Sequence, residues 1–501
     1  MEKPISQLPT QNIANLLDRH GIEHTWKSLL YTHAAVTHSQ KLDTNFTIFA
    51  EDVLKDLSIG NISVLYEFSL AHVNVQGRKK EGQFFTPDDV ALKMVDFTSQ
   101  FPPGGIWLDP CSGVGNLAFH LVQKHNNPAD FMMNYLYLVD KDSLALWIAR
   151  FLLALNFGKD FNETFNHLES RCITGDFLEI TLPDFDYSLF NPPYVSTPPD
   201  LRFTTAESRD LYVYFIEKIT HHAQGFISIT PQSFMHVKRF QSLRQFLISQ
   251  LDEVHLYTFD NMPDCIFSGV KFGTTNTNKK NSIRPTILVG KKKSDENIWT
   301  TTPLLRWRKK DRDTMLETLN AQETPFAPHD QYFPKVGSSL IQLYEQVVKY
   351  KKTIGDLITT DGDYCLYLPT TTRYYISATK RELDRGSIRT IRFSTREDQN
   401  LAYLLLNSGY FYWWWRVTDG SMNVSFDSIK SLPIPPTELN QDLIKALEGS
   451  ENTNIVTKNN AQKLHESVKH DESLLYDLNV HLFGEIIAGK LAEVRLNSHV
   501  V

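Results

Sequence analysis

Cysteine is scarce in this chain, with four in 501 residues. Cys111, Cys172, Cys265 and Cys365 stand far apart, so neither a disulfide framework nor a metal-binding cluster is expected. No apolar run approaches the ~20 residues of a membrane span, and the opening MEKPISQLPTQ lacks the charged-then-apolar pattern of an export signal. A reducing cytoplasm is the expected setting, and no membrane partner is expected. The GxxxxGK sequence of a P-loop is missing, which disfavours a nucleoside-triphosphate site. There is no short-period repeat and no low-complexity tract. Charge of one sign does not dominate either: 51 Lys and Arg against 58 Asp and Glu leave a net −7. Composition therefore does not advertise a nucleic-acid binder, although averages hide patches. Basic stretches lie at 279–293, 306–312 and 373–396. A charge run is usually a solvated face, so none of these alone implies phosphate contact.

What the chain does have is a change of texture along its length. Residues 1–80 show apolar spacing near 3.6 in NIANLLDRH and WKSLLYTHAAVTH, which predicts helices. GRKKEGQFFTP then breaks the pattern. From about residue 104, short apolar runs alternate with helical stretches. GIWLD, YLYLVD, CITGD, DYSLFN, GFISIT, VHLYTF and RPTILVG read as seven strands. The alternation predicts a doubly wound α/β sheet, mostly parallel. The last two runs are joined by a long loop and no obvious helix, which predicts a hairpin and one antiparallel strand near the sheet edge. Four regions are expected: a helical N-terminal region (1–80), the α/β domain (81–295), a Thr-, Tyr- and Lys/Arg-rich domain (296–435), and a helical C-terminal region (436–501) with a polar interruption near 450–460.

Ligands of such sheets bind beyond the carboxyl ends of the strands. Here the strand ends run Asp109-Pro110-Cys111-Ser112-Gly113-Val114-Gly115, then Asp140, then Asp176-Phe177, then Asn191-Pro192-Pro193-Tyr194. Gly113 and Gly115, where strand turns into helix, let backbone approach a ligand closely. Asp140 is placed to hydrogen-bond two ribose hydroxyls, and Asp176 with Phe177 to bind and stack an adenine ring. Each aspartate alone is equally well a helix cap; all of them in this order point to a nucleoside-like cofactor.

At Asn191-Pro192-Pro193-Tyr194 the chain resembles the S-adenosylmethionine-dependent amino-methyltransferases, whose fourth strand ends in this motif. GQFFTPDDVALKMVDF (82–97) looks like the segment flanking the methionine end of the cofactor. DPCSGVGNLAF looks like its glycine loop, although relatives more often carry DPACGSG. The segment order is that of the gamma class of N6-adenine DNA methyltransferases of restriction-modification systems. The resemblance covers about 80–295, with weaker likeness to about 435. It implies S-adenosylmethionine as cofactor, double-stranded DNA as partner, a cytoplasmic bacterial or phage-encoded enzyme, and a separate restriction endonuclease as a potential partner subunit. It places Thr86 and Pro87 by the methionine moiety, Asp109, Gly113 and Gly115 in the loop beneath it, Asp140 on the ribose, and Asp176 with Phe177 on the adenine.

Asn191-Pro192-Pro193-Tyr194 suits a planar amine. The lone pair of an exocyclic amine is delocalised into its ring. Two acceptors near its hydrogens, the Asn191 side-chain oxygen and the Pro192 carbonyl, favour tetrahedral geometry and free the lone pair for in-line attack on the sulfonium methyl. The prolines hold the carbonyl direction rigidly, and Tyr194 offers a face to the base. No cysteine nucleophile is required. A duplex base must be flipped out to reach such a site. The resemblance supplies a second aromatic wall from the loop after the sixth strand, Phe267 in preference to Phe272. Residues 296–435 resemble a target-recognition domain, with Arg373, Lys380, Arg381 and Arg385 of TTTRYYISATKRELDRG as DNA-contact candidates and the loop DGSMNVS as another. The aromatic run 411–415 reads better as a buried helix than as a base-stacking platform. No nuclease signature is present, so modification without cleavage is expected from this polypeptide. The competing expectations are methylation of a protein glutamine or an rRNA amine, and a non-catalytic DNA-binding subunit that keeps the fold.

Overall fold

The structure, a computed structural model, describes residues 3, 5–73, 86–267, 283–292, 297–371, 375–421, 423–460 and 463–496. The chain divides into two compact units. Unit 1 comprises Met1–Thr300, Arg312–Leu319 and Ala327–Gln331; unit 2 comprises Thr301–Asp311, Asn320–Phe326 and Tyr332–Val501.

Unit 1 opens with three helices, α1 (Thr10–His20), α2 (Ile22–Val36) and α3 (Ile59–Val73). After α4 (Asp88–Asp96) the chain alternates: β1 (Trp107–Asp109), α5 (Asn116–Lys124), α6 (Pro128–Asn134), β2 (Leu136–Asp140), α7 (Ser143–Phe157), α8 (Phe161–His167), β3 (Cys172–Thr174), β4 (Tyr187–Phe190), α9 (Leu211–His222), β5 (Gly225–Pro231), α10 (Gln241–Gln250), β6 (Glu253–Thr258), β7 (Pro285–Lys291) and β8 (Ile298–Thr301). These strands lie side by side in the order β3-β2-β1-β4-β5-β7-β6-β8. β1 to β5 pair in parallel, and β7 runs antiparallel to both β5 and β6. The doubly wound sheet and its antiparallel strand are therefore as the sequence predicts. β4, β5 and β7 carry apolar residues on both faces instead of alternating apolar and charged ones, because neither face is wet; every residue of β4 is buried.

The chain leaves β1 toward β2 on one side and reaches β4 on the other, so the switch in strand order lies between β1 and β4. Asp109 ends one strand there and Asn191 follows the other. Between β1 and α5, Gly115 has φ +84, and a Cβ there would lie 2.9 Å from the Ala149 Cβ of α7. Only glycine satisfies both the left-handed backbone and that close approach.

The N-terminal helices share one apolar core with α7. Ile13, Leu17, Trp26, Leu29, Leu30, Ile62 and Leu65 cluster with Ala145, Ile148, Phe151 and Leu152. α7 is apolar on nearly every face because it packs against both the sheet and these helices.

In unit 2, Ile358–Thr359, Ile388–Phe393 and Tyr364–Pro369 form an antiparallel sheet with the middle segment central. Phe411 to Trp415 lie in the helix Gly409–Thr418 and are all buried in the core of this unit, as the packing reading of that run expects. The polar stretch near 450–460 is more than a break between helices: after the helix Gln441–Thr453, Ile455–Asn460 pairs with Lys463–Val468 as a hairpin. Polar strands without apolar alternation give no strand signal.

Candidate active site

The carboxyl ends of β1, β2 and β4 open into a cavity of about 540 Å³. Thr86, Asp109, Gly113, Asp140, Asp176, Phe177, Asn191, Pro192 and Pro193, all singled out from the sequence, line it. Pro87, Gly115, Tyr194 and Phe267 are not among the residues that line it. Phe272 and Arg373 lie outside the described residues.

The glycine loop is bound to the strand end beside it. The Gly113 amide donates to Asp140 Oδ2 at 2.8 Å, and the Asp142 amide to Asp140 Oδ1 at 2.9 Å. Asp142, not Asp140, caps the next helix, accepting from the Leu144 and Ala145 amides. This separates the two roles an aspartate can have at a strand end. Burial raises the Asp140 carboxyl above the ordinary range although backbone amides oppose it. Asp109, buried at the base of the loop, is pushed up to about 8 by the same cause. Asp176 accepts from the Leu178 amide and pairs with Lys141 Nζ at 2.8 Å. Phe177 is buried, its ring 4.7 Å from that of Phe215, with the Lys218 ammonium 5.0 Å from its centre.

At the end of β4, Asn191 Nδ2 donates to Thr86 Oγ1 at 2.9 Å. The Tyr194 hydroxyl lies 2.7 Å from Asn191 Oδ1 and 2.8 Å from the Ile229 carbonyl. One hydroxyl has one proton for these two oxygens. Turning the Asn191 amide by 180° puts Nδ2 on the Tyr194 oxygen and Oδ1 on the Thr86 hydroxyl, and leaves the Tyr194 proton for the Ile229 carbonyl. Thr86 is itself fixed, its carbonyl accepting from Asn116 Nδ2 at 2.7 Å. The Asn191 amide is thus held from two sides, by a residue 105 positions upstream and by its own motif. The Tyr194 ring centre is 6.2 Å from that of Phe267, with the planes tilted by 59°.

Residues 134–267 match the family described as Eco57I restriction-modification methylase. That stretch runs through β2, β3, the Asn191 strand end and β6 to Phe267, and bears out the resemblance read from the motifs. A methylase of this family implies S-adenosylmethionine as its methyl donor, as the motifs do. A 197-residue alignment, 25% identical, links the chain to the Type II methyltransferase M.VspI of Vibrio sp. (strain 343). It covers 37% of this chain and 44% of that protein, so the chain spans less than half the length of the curated relative it matches. Among solved structures, a cryoEM DrdV–DNA complex aligns at TM-score 0.47 and 11% identity, over 72% of this chain and 45% of that one. The type IIG restriction endonuclease BpuSI aligns at TM-score 0.41 and 12% identity, over 98% of this chain and 76% of that one.

The cavity contains residues that the motifs did not announce. Ser63, Tyr66, Glu67 and Leu70 of α3 line it, and the Tyr66 hydroxyl donates to Asp142 Oδ2 at 2.6 Å. Apolar helical spacing was the available signal for α3, and it says nothing of a cavity. Cys111 also lines it, its thiol donating to the Asn191 carbonyl at 3.2 Å. Burial and two neighbouring carboxyls raise that thiol well above its ordinary value, so it is a neutral donor rather than a thiolate. The three described cations of the 370–386 segment are engaged within unit 2. Lys380 Nζ meets Glu448 at 2.7 Å and Asn400 at 2.6 Å, Arg381 meets Glu466 at 3.2 Å, and Arg385 donates to the Glu466 carbonyl at 3.2 Å. Among the described residues, no helix is long and apolar enough to cross a membrane, and no group of three or more His, Cys, Asp or Glu side chains is arranged to hold a metal ion.

Proposed function

We propose that the chain methylates the exocyclic N6 amine of an adenine in double-stranded DNA, as the modification component of a restriction-modification system. The observation that carries this reading is the Asn191 amide, fixed between Thr86 and Tyr194 at the edge of a carboxylate-lined cavity. Asp142, Asp176 and Glu67 outnumber Lys141 around that cavity, with the buried Asp109 and Asp140 able to ionise beside a cation, which suits a cationic cofactor. Bound S-adenosylmethionine supplies an electrophilic methyl on a sulfonium. Asp140 would hold the ribose, Asp176 the adenine amine on release from Lys141, and Phe177 the flat ring.

Asn191 and the Pro192 carbonyl accept the two hydrogens of the target amine and orient its lone pair. As the amine arrives, the Asn191 oxygen exchanges an internal hydrogen bond for one to substrate. Tyr194 retains the Ile229 carbonyl as a partner, so its ring stays in place as one wall of the base site. Phe267 forms the other wall. Rigid positioning of two reactants is the largest contribution asked of the site.

The test is incubation of the purified chain with methyl-labelled S-adenosylmethionine and DNA lacking its modification. Label recovered as N6-methyladenine is the expected result. Label in release factors or rRNA, and none in DNA, would overturn the reading. If the cofactor does not bind even with DNA present, the chain is a non-catalytic subunit.

A pH dependence follows from Asp109. Its raised folded-state value means that its contribution to stability is present in full below the unfolded carboxyl value and is lost as pH rises through about 8. A cation in the cavity favours the ionised form. Cofactor affinity is therefore expected to rise from pH 6 to 8, with proton release on binding. Calorimetry in two buffers of different ionisation enthalpy measures that release. Asp109→Asn should flatten the profile, and a flat profile in the parent would refute the assignment.

A further inference from the structure

Arg312 lies far along the chain from every motif, in the Arg312–Leu319 return to unit 1, where it opens α11 (Arg312–Glu317). Its side chain is only 15% exposed. Nε and Nη2 grip both carboxylate oxygens of Asp89, the latter at 3.0 Å. Nη1 donates to the Cys265 carbonyl and Nη2 to the Ile266 carbonyl, each at 3.0 Å. Four hydrogen bonds leave a planar fork in fixed directions. A lysine ammonium could keep the ion pair but could not reproduce that spread.

The two ends of this clamp are the two halves of the proposed base site. Asp89 lies in the first turn of α4, three residues after Thr86, whose hydroxyl is hydrogen-bonded to the Asn191 amide. Cys265 and Ile266 directly precede Phe267, whose ring faces Tyr194. Residues 260–267 lie beyond the end of β6 and outside any strand or helix.

We propose that Arg312 is a positioning residue for the target base: by joining Asp89 to the carbonyls before Phe267, it sets the gap between Phe267 and the Asn191-Tyr194 strand end. This rests on the methyl-transfer reading above. The alternative is a buried ion pair that contributes to folding alone.

The full-length chain, methylating unmodified DNA at saturating cofactor, separates the two. Arg312→Lys preserves the charge opposite Asp89 and loses the carbonyl bonds, so it is the variant expected to fold; Arg312→Gln removes both. Misplacing a reacting group by an ångström costs on the order of a hundredfold. Expected are a fall of about tenfold in kcat/KM for DNA with Arg312→Lys and about a hundredfold with Arg312→Gln. Cofactor affinity should stay within about threefold, since Arg312 does not line the cavity. Phe267→Ala should abolish the difference: Arg312→Lys combined with Phe267→Ala should be no worse than Phe267→Ala alone. Effects that multiply, or a lowered melting temperature with kcat/KM intact, would overturn the positioning role. The reading beneath fails in a different way, with a parent chain that puts no label into any DNA.

Discussion

Asn191→Ala is expected to lower methylation turnover by about a hundredfold to a thousandfold, the scale on which removal of one preorganised polar group acts in other active sites. Cofactor affinity should stay within about threefold. The asymmetry follows from the geometry. Asp109, Asp140 and Asp176 stand on β1, β2 and the turn after β3, whereas Asn191 follows β4 and bonds to Thr86 and Tyr194. Its loss leaves the Asp140 grip on Gly113 intact. Single-turnover kinetics with pre-bound cofactor isolates the chemical step, and calorimetry gives the affinity. A variant that turns over at the parental rate would remove Asn191 from the amine-activation role.

The second large effect lies in unit 2. Trp414→Ala should destabilise that unit by about 3–5 kcal/mol, as emptying a core position of its largest side chain does. The ring is 2% exposed, its Nε1 donates to Ser431 Oγ at 3.2 Å, and it meets the Tyr332 ring edge-on at 6.3 Å. Thermal or denaturant unfolding should show the loss, while the salt dependence of DNA binding at low temperature keeps its slope, because no phosphate contact is removed. If DNA affinity falls with melting unchanged, the aromatic run is a stacking surface after all.

The sheet was legible because its signals are local. Seven apolar runs of strand length, broken by glycine, proline or helical spacing, need no long-range information to be read. Most of the proposed site was legible for a related reason: a doubly wound sheet sends every parallel strand's carboxyl end to the same edge, so Asp109, Asp140, Asp176 and Asn191 meet there once the strands are placed. What stayed hidden depends on contacts across long sequence separations. That Tyr66 of α3 reaches Asp142, or that Arg312 reaches Asp89, is set by packing and leaves no pattern near either residue. The 370–386 segment shows the same limit from the other side. Its composition suits DNA, but Glu448, Glu451 and Glu466, some 70 to 85 positions downstream, bond to Lys380 and Arg381. Local charge cannot announce such partners.

The chain passes between its two units five times, at residues 300, 311, 319, 326 and 331. The short returns bring to unit 1 Arg312 for Asp89, and Asp330, whose carbonyl takes Arg244 Nε at 2.7 Å. A specificity module joined at a single seam could be exchanged between enzymes as one cassette. Here, splicing at residue 300 would strip the first unit of both contacts. Any chimera that exchanges the second unit should therefore keep residues 312–319 and 327–331 from the parent that supplies the sheet.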